Sequence, residues 1–188
     1  MDIEAYKKYW SDRGETLLTY SLDQVDRNKI DSNTFSFLTN YGLPSQAAPF
    51  LSFDLIKEDK LLTPNQIFRI DFEGLDEYLM FGANVSGDPI CISTAHENEI
   101  VYLNHDNYFE RIFTNKTISQ FGRCLIEYQN FFKSLINSSP DDLSRRKFSD
   151  DEFLGLKTEF LKIVNLCLTD ESFWSTELDG LLWERDNE

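Results

Sequence analysis

Residues 77–106, EYLMFGANVSGDPICISTAHENEIVYLNHD, decide the fold class. Three apolar runs, EYLMFGA (77–83), PICIS (89–93) and IVYLNHD (100–106), are separated by NVSGD (84–88) and TAHENE (94–99). The runs have the length of strands, and the intervening residues are turn formers. Connections this short cannot hold a crossover, so neighbouring strands must pair antiparallel. The stretch predicts a β-meander.

Downstream the period changes. From Thr117, the residues Ile118, Phe121, Leu125, Tyr128, Phe131, Phe132 and Leu135 step by three and four, which predicts a long amphipathic helix to about residue 137. Asn115 or Thr117 can cap it. Residues 138–149, SSPDDLSRRKFS, read as a linker. Ser149 and Glu152 have capping-box spacing and open a further helix, and a last one carries Phe173, Trp174, Leu178 and Leu181. Upstream, Ile3, Tyr6, Tyr9 and Trp10 predict a first helix. A short strand is expected near 17–25. A second helix starts at Asp31 or Ser32 and ends at Gly42. LPSQAAPF (43–50) is a proline-fixed loop entering the strand LSF, and alternation over 67–72 predicts another strand.

Strands in the middle and helices at both ends argue for an α+β fold. The expectation is an antiparallel sheet with helices packed on one face, leaving the other face available, with additional C-terminal helices. Residues 1–139 are expected to form the main domain and 140–188 a helical extension packed on it.

The 188 residues suffice for a core without disulfides, and 41% are hydrophobic. Charge is the strongest compositional signal: 33 acids against 18 Lys and Arg give a net of −15. Such a field disfavours nucleic acid and anionic membranes as partners and speeds encounter with basic ones. Residues 42–115 carry net −8 and residues 140–188 net −7, with a near-neutral stretch between them. Cys91, Cys124 and Cys167 are odd in number and each lies in an apolar stretch. They predict buried free thiols in a reducing, cytoplasmic setting. The opening MDIEAYKKYW is amphipathic rather than a signal peptide, so the N-x-S/T triplets at Asn84, Asn115 and Asn137 read as turn and cap residues.

Motifs for catalysis are missing: no phosphate loop, dinucleotide fingerprint, C-x-x-C or H-E-x-x-H occurs. His96 and His105 lack zinc-ligand spacing, so no metal or other cofactor is expected. Cys124 falls on the apolar side of the long helix and makes a poor nucleophile for a His105 base. Adjacent acids such as Asp76 and Glu77 read as solvated surface in so acidic a chain. Trp10 and Trp174 are expected in the core, with Trp183 open.

Three blocks carry a resemblance: YGLPSQAAPFLSF (41–53), YLMFGANVSGDPICIS (78–93) and VYLNHDNYFERIFTNKTISQFGRCLIEYQNF (101–131). Together they resemble the SUKH superfamily of bacterial toxin-immunity proteins, in particular its fourth subfamily. The resemblance covers residues 41–131 and leaves the tail from residue 140 unplaced. It implies a single α+β domain without a catalytic site that neutralises toxins of polymorphic or contact-dependent systems, often nucleases or deaminases. The matching residues are Gly42, Pro44, Pro49, Gly82, Gly87, Asp88, Pro89, His105 and Asp106, most of them architectural. Gly87 is expected at positive φ in the hairpin turn, with Asp88 accepting backbone N–H groups there.

The acids expected to meet a basic toxin are Asp71, Glu73, Asp76, Glu77, Glu97, Glu99 and Asp106. Tail acids such as Asp141 and Asp142 would add long-range attraction. Two other readings stand beside this one: a SUKH-type scaffold or regulator with weaker, exchangeable partners, and a small hydrolase using His105 or the acid pairs.

Overall fold

The computed structural model describes residues 2–58, 60–138 and 147–187. The expected linker at 138–149 therefore lies mostly outside the described residues, as do Asp141 and Asp142.

The chain opens with helix α1 (Ile3–Ser11), which buries Tyr6 and Trp10. A two-residue strand β1 (Leu17–Leu18) follows and pairs antiparallel with β2 (Leu43–Pro44). The strand expected over 17–25 stops at Leu18. Beyond it, Ser21, Asp23, Gln24 and Asp26 bond side chain to local neighbours, which favours turns over a ladder. Helix α2 (Ser32–Ser36) is capped by Asp31, whose carboxylate accepts from the Asn33 and Thr34 N–H groups, and a π-helical turn carries it on to Tyr41.

The main sheet has six antiparallel strands in chain order. They are β3 (Gln46–Ala47), β4 (Leu51–Ser52), β5 (Tyr78–Asn84), β6 (Pro89–Ser93), β7 (Ile100–Asn104) and β8 (Glu110–Asn115). Between β4 and β5 lie two short helices, α3 (Leu55–Glu58) and α4 (Pro64–Phe68). After the sheet come α5 (Ile118–Ser138), α6 (Asp150–Ile163) and α7 (Phe173–Asn187). The fold is α+β with C-terminal helices, and the meander of 77–106 is β5–β6–β7.

Two local expectations are corrected. Residues 67–72 are not a strand: Thr63 and Gln66 form a capping box, Pro64 opens the helix with a φ already suited to it, and Arg69 ends it in a left-handed conformation. The alternation of apolar residues there is incidental. In the other direction, β8 adds a strand where none was expected.

Side chains alternate across the sheet. Leu79, Phe81, Ile90, Ile92 and Ile100 pack beneath Phe121, Leu125, Phe160 and Trp174 in one continuous core. The C-terminal helices are part of that core. Trp174 Nε1 donates to Asn115 Oδ1 at 2.9 Å, while Asn115 Nδ2 donates to Cys124 Sγ, so one buried asparagine ties β8, α5 and α7 together. Thr117 caps α5 and Asn115 does not. The opposite face of the sheet is not available as expected. Met80, Cys91, Val101 and Leu103 form a second apolar cluster with Leu55, Ile67, Phe72 and Leu75, so α3, α4 and the following loop cover much of it.

Candidate functional site

The acids singled out from sequence divide between two ends of the sheet. Asp76 and Glu77 precede β5, and Glu97 and Glu99 lie in the turn before β7. The Thr94 N–H and hydroxyl both donate to the Glu77 carbonyl at 2.8 Å, which holds these two segments side by side. Asn65 fixes the loop that leads in: its amide donates to the Phe72 carbonyl and to Asp76 Oδ1, and its Oδ1 accepts from the Phe72 N–H. Asp71 and Glu73 flank Phe72 on this anchored loop. Asn98 Oδ1 accepts from the Asp31 N–H at 2.7 Å and pins the 94–99 turn to α2.

Asp71, Glu73, Asp76, Glu77 and Glu97 are exposed. Among the described residues none of them pairs with a lysine or arginine. Glu99 differs: it is half-buried and holds Arg111 across β7 and β8 at 2.5 Å. Its charge is offset by the Arg111 guanidinium. Asp106 sits beyond the far end of β7, five strand residues or about 16 Å from Glu99. The seven acids are therefore not one patch.

At the Asp106 end a polar network surrounds Asp88, which is 5% exposed. Asp88 Oδ1 accepts from the His105 N–H at 2.9 Å and from His105 Nδ1 at 2.5 Å. Asp88 Oδ2 accepts from the Tyr102 hydroxyl at 2.5 Å and from Asn84 Nδ2 at 2.9 Å. Burial by itself would raise the Asp88 carboxyl, but the bonds from Tyr102, His105 and Asn84 outweigh it and hold the group below its usual value. The bond to Asp88 raises His105, and burial followed by the Asp88 contact pushes the Tyr102 phenol well up. Asp88 thus ties the β5–β6 turn to the end of β7, a longer-range role than the local turn cap expected of it. Gly87 has φ +88°, as its place in that turn predicts.

His105 and Cys124 are not brought together. Cys124 bonds Asn115 at one end of β8, and His105 precedes the other end. Burial pushes the Cys124 thiol up, toward an inert form. All three cysteines are free and buried. Trp10 and Trp174 are buried as expected, and Trp183 is 68% exposed. Among the described residues no group of three His, Cys, Asp or Glu is placed to hold a metal ion, and no helix is long and apolar enough to cross a membrane.

A groove of about 1170 Å³ opens beside the Asp88 network. Its walls are the end of α1, the loop joining β3 to β4, the turn after Asn84, and facing sides of α5 and α7. Phe50, 69% exposed, and Val85, 83% exposed, stand on its rim. Glu177 of α7 lines it. Desolvation and then the nearby Glu184 push the Glu177 carboxyl up to about 7. Sequence reading missed this residue. The available signal was Glu177, Leu181 and Glu184 at helical spacing, which puts two acids on the side of α7 that borders its buried stripe.

Comparison with models of known protein families, with curated proteins and with solved structures finds no match to this chain.

Proposed function

We propose that this chain is a non-catalytic immunity protein of the SUKH type that captures and neutralises a basic toxin, a nuclease or deaminase of a polymorphic or contact-dependent system, in the cytoplasm. The observation that carries the reading is the set of exposed carboxylates Asp71, Glu73, Asp76, Glu77 and Glu97, on hydrogen-bonded loops and without a lysine or arginine partner among the described residues. Nuclease and deaminase toxins that act on nucleic acid carry cationic surfaces that hold phosphate. A fixed acidic surface competes for those groups and accelerates encounter before damage begins. The motif resemblance over residues 41–131 supports the same reading.

The test is co-expression with the toxin domain encoded in the adjacent gene. The expected result is restored growth with wild-type protein, and with His105→Ala as well. A folded His105→Ala variant that loses protection together with a measurable turnover would instead establish an enzyme.

A further inference from the structure

We propose that the groove between α1, the β3–β4 loop, α5 and α7 docks a basic segment of a partner protein, with a lysine or arginine seated against Glu177 and flanking apolar side chains on Phe50 and Val85. This second surface lies away from the acidic loops. Asn84 and Val85 stand at the far end of β5 from Glu77, about 23 Å along its seven residues. It takes a protein segment whether or not the partner is a toxin.

The occupant follows from charge and size. A volume of about 1170 Å³ exceeds what one side chain fills and suits a short peptide. Glu15, Glu177 and Glu184 line it, whereas Lys133 is the one lysine among the described lining residues. Arg13 also lines it, so the described lining carries four acids, Asp12, Glu15, Glu177 and Glu184, against two bases, Arg13 and Lys133. The Arg13 guanidinium is held in place by the Tyr9 carbonyl, Asn130 Oδ1 and the Tyr9 ring and keeps its charge. Asp12 is held by Lys8. The Glu177 carboxylate has no hydrogen bond or ion pair among the described residues, and burial followed by the charge of Glu184 makes its ionisation harder. A cation delivered from outside relieves both conditions. An anionic ligand would meet the same field unfavourably, and so would a second copy presenting the same acidic face.

Phe50 strengthens the case. It is large, apolar, mostly exposed and held at φ +56°, in a loop whose neighbours Ala47 and Pro49 are buried. A side chain presented this way is an anchor in search of cover.

The test uses the intact protein and a phage library of random linear dodecapeptides. Enriched peptides are expected to carry a lysine or arginine beside an apolar residue. A synthetic peptide of the selected sequence should bind wild type and lose at least tenfold in affinity on Glu177→Gln and on Phe50→Ser. The double variant Asp76→Lys, Glu77→Lys should bind it as wild type does, which separates this groove from the acidic loops. Selected peptides without basic residues, affinity indifferent to Glu177→Gln, or no enrichment at all would overturn the proposal. So would a concentration-dependent dimer that Phe50→Ser dissolves.

Discussion

At Asp88 four donors converge on one buried carboxylate. Asp88→Ala leaves the His105 N–H, His105 Nδ1 and the Tyr102 hydroxyl without their acceptor, while the Asn84 amide keeps the Tyr102 hydroxyl oxygen at 3.3 Å, at a cost of roughly 2–4 kcal/mol. A urea denaturation midpoint equal to wild type would contradict this role. The pH dependence has a definite sign. The lowered carboxyl contributes fully above its ordinary value of 3.8, and that contribution disappears as pH falls through the lowered one. Raised His105 contributes fully below 6.5 and loses its share as pH rises through the higher value. The deficit of Asp88→Ala is therefore expected to be greatest near pH 5–6 and smaller by pH 8. Glu177 has the opposite character. Its carboxyl is raised from 4.5 to about 7, so its ionisation opposes folding above pH 4.5 and fully so above pH 7, by about 3 kcal/mol. Glu177→Gln is expected to stabilise the protein at pH 8 and to change little at pH 4. Equal effects at both pH values would show that the carboxyl is not desolvated. Asp88 was legible in the sequence as a turn residue, yet its partners were not, because a carboxylate reaching from one hairpin to another strand's end leaves no trace in spacing. Glu177 looked like one acid among 33 acids.

At the scale of elements, glycines show how tightly the pieces meet. A Cβ at Gly42 would stand 2.3 Å from the Leu18 carbonyl oxygen, and its φ is +79°. Strain and backbone collision act together there. At Gly87 nothing lies within 4 Å, so only the φ of +88° penalises a side chain. Gly87→Val is expected to cost roughly 1–3 kcal/mol, and Gly42→Ala more than that. A Gly42→Ala variant as stable in thermal denaturation as Gly87→Val would refute the ranking. Gly82 sits beside the register shift in β5, and a Cβ there would be 2.6 Å from the buried Phe53 ring. Capping chemistry made α6 legible, since Ser149 and Glu152 bond as their spacing predicts. Thr63 and Gln66 have the same spacing, yet the apolar alternation over 67–72 predicts a strand that overlaps α4 at Ile67 and Phe68. β8 escaped notice because Glu110 and Arg111 break its alternation, and its apolar residues run on toward the helical pattern from Ile118.

Over the whole molecule, the long helices on one side and α3 and α4 on the other leave the sheet little bare surface. The two proposed binding surfaces accordingly lie at the sheet's ends and in the groove. The acidity was visible in composition, but its division between the two ends was not, because strand direction separates residues that sequence places close together. Charge reversal at Asp76 and Glu77 is expected to slow capture of the proposed basic toxin strongly at low salt and mildly at high salt. The most direct test is the association rate of the toxin with wild type and with Asp76→Lys, Glu77→Lys, measured by stopped flow at low and at high ionic strength. The expected result is a slower variant whose deficit shrinks as salt is added. Equal, salt-independent rates for the two proteins would contradict it.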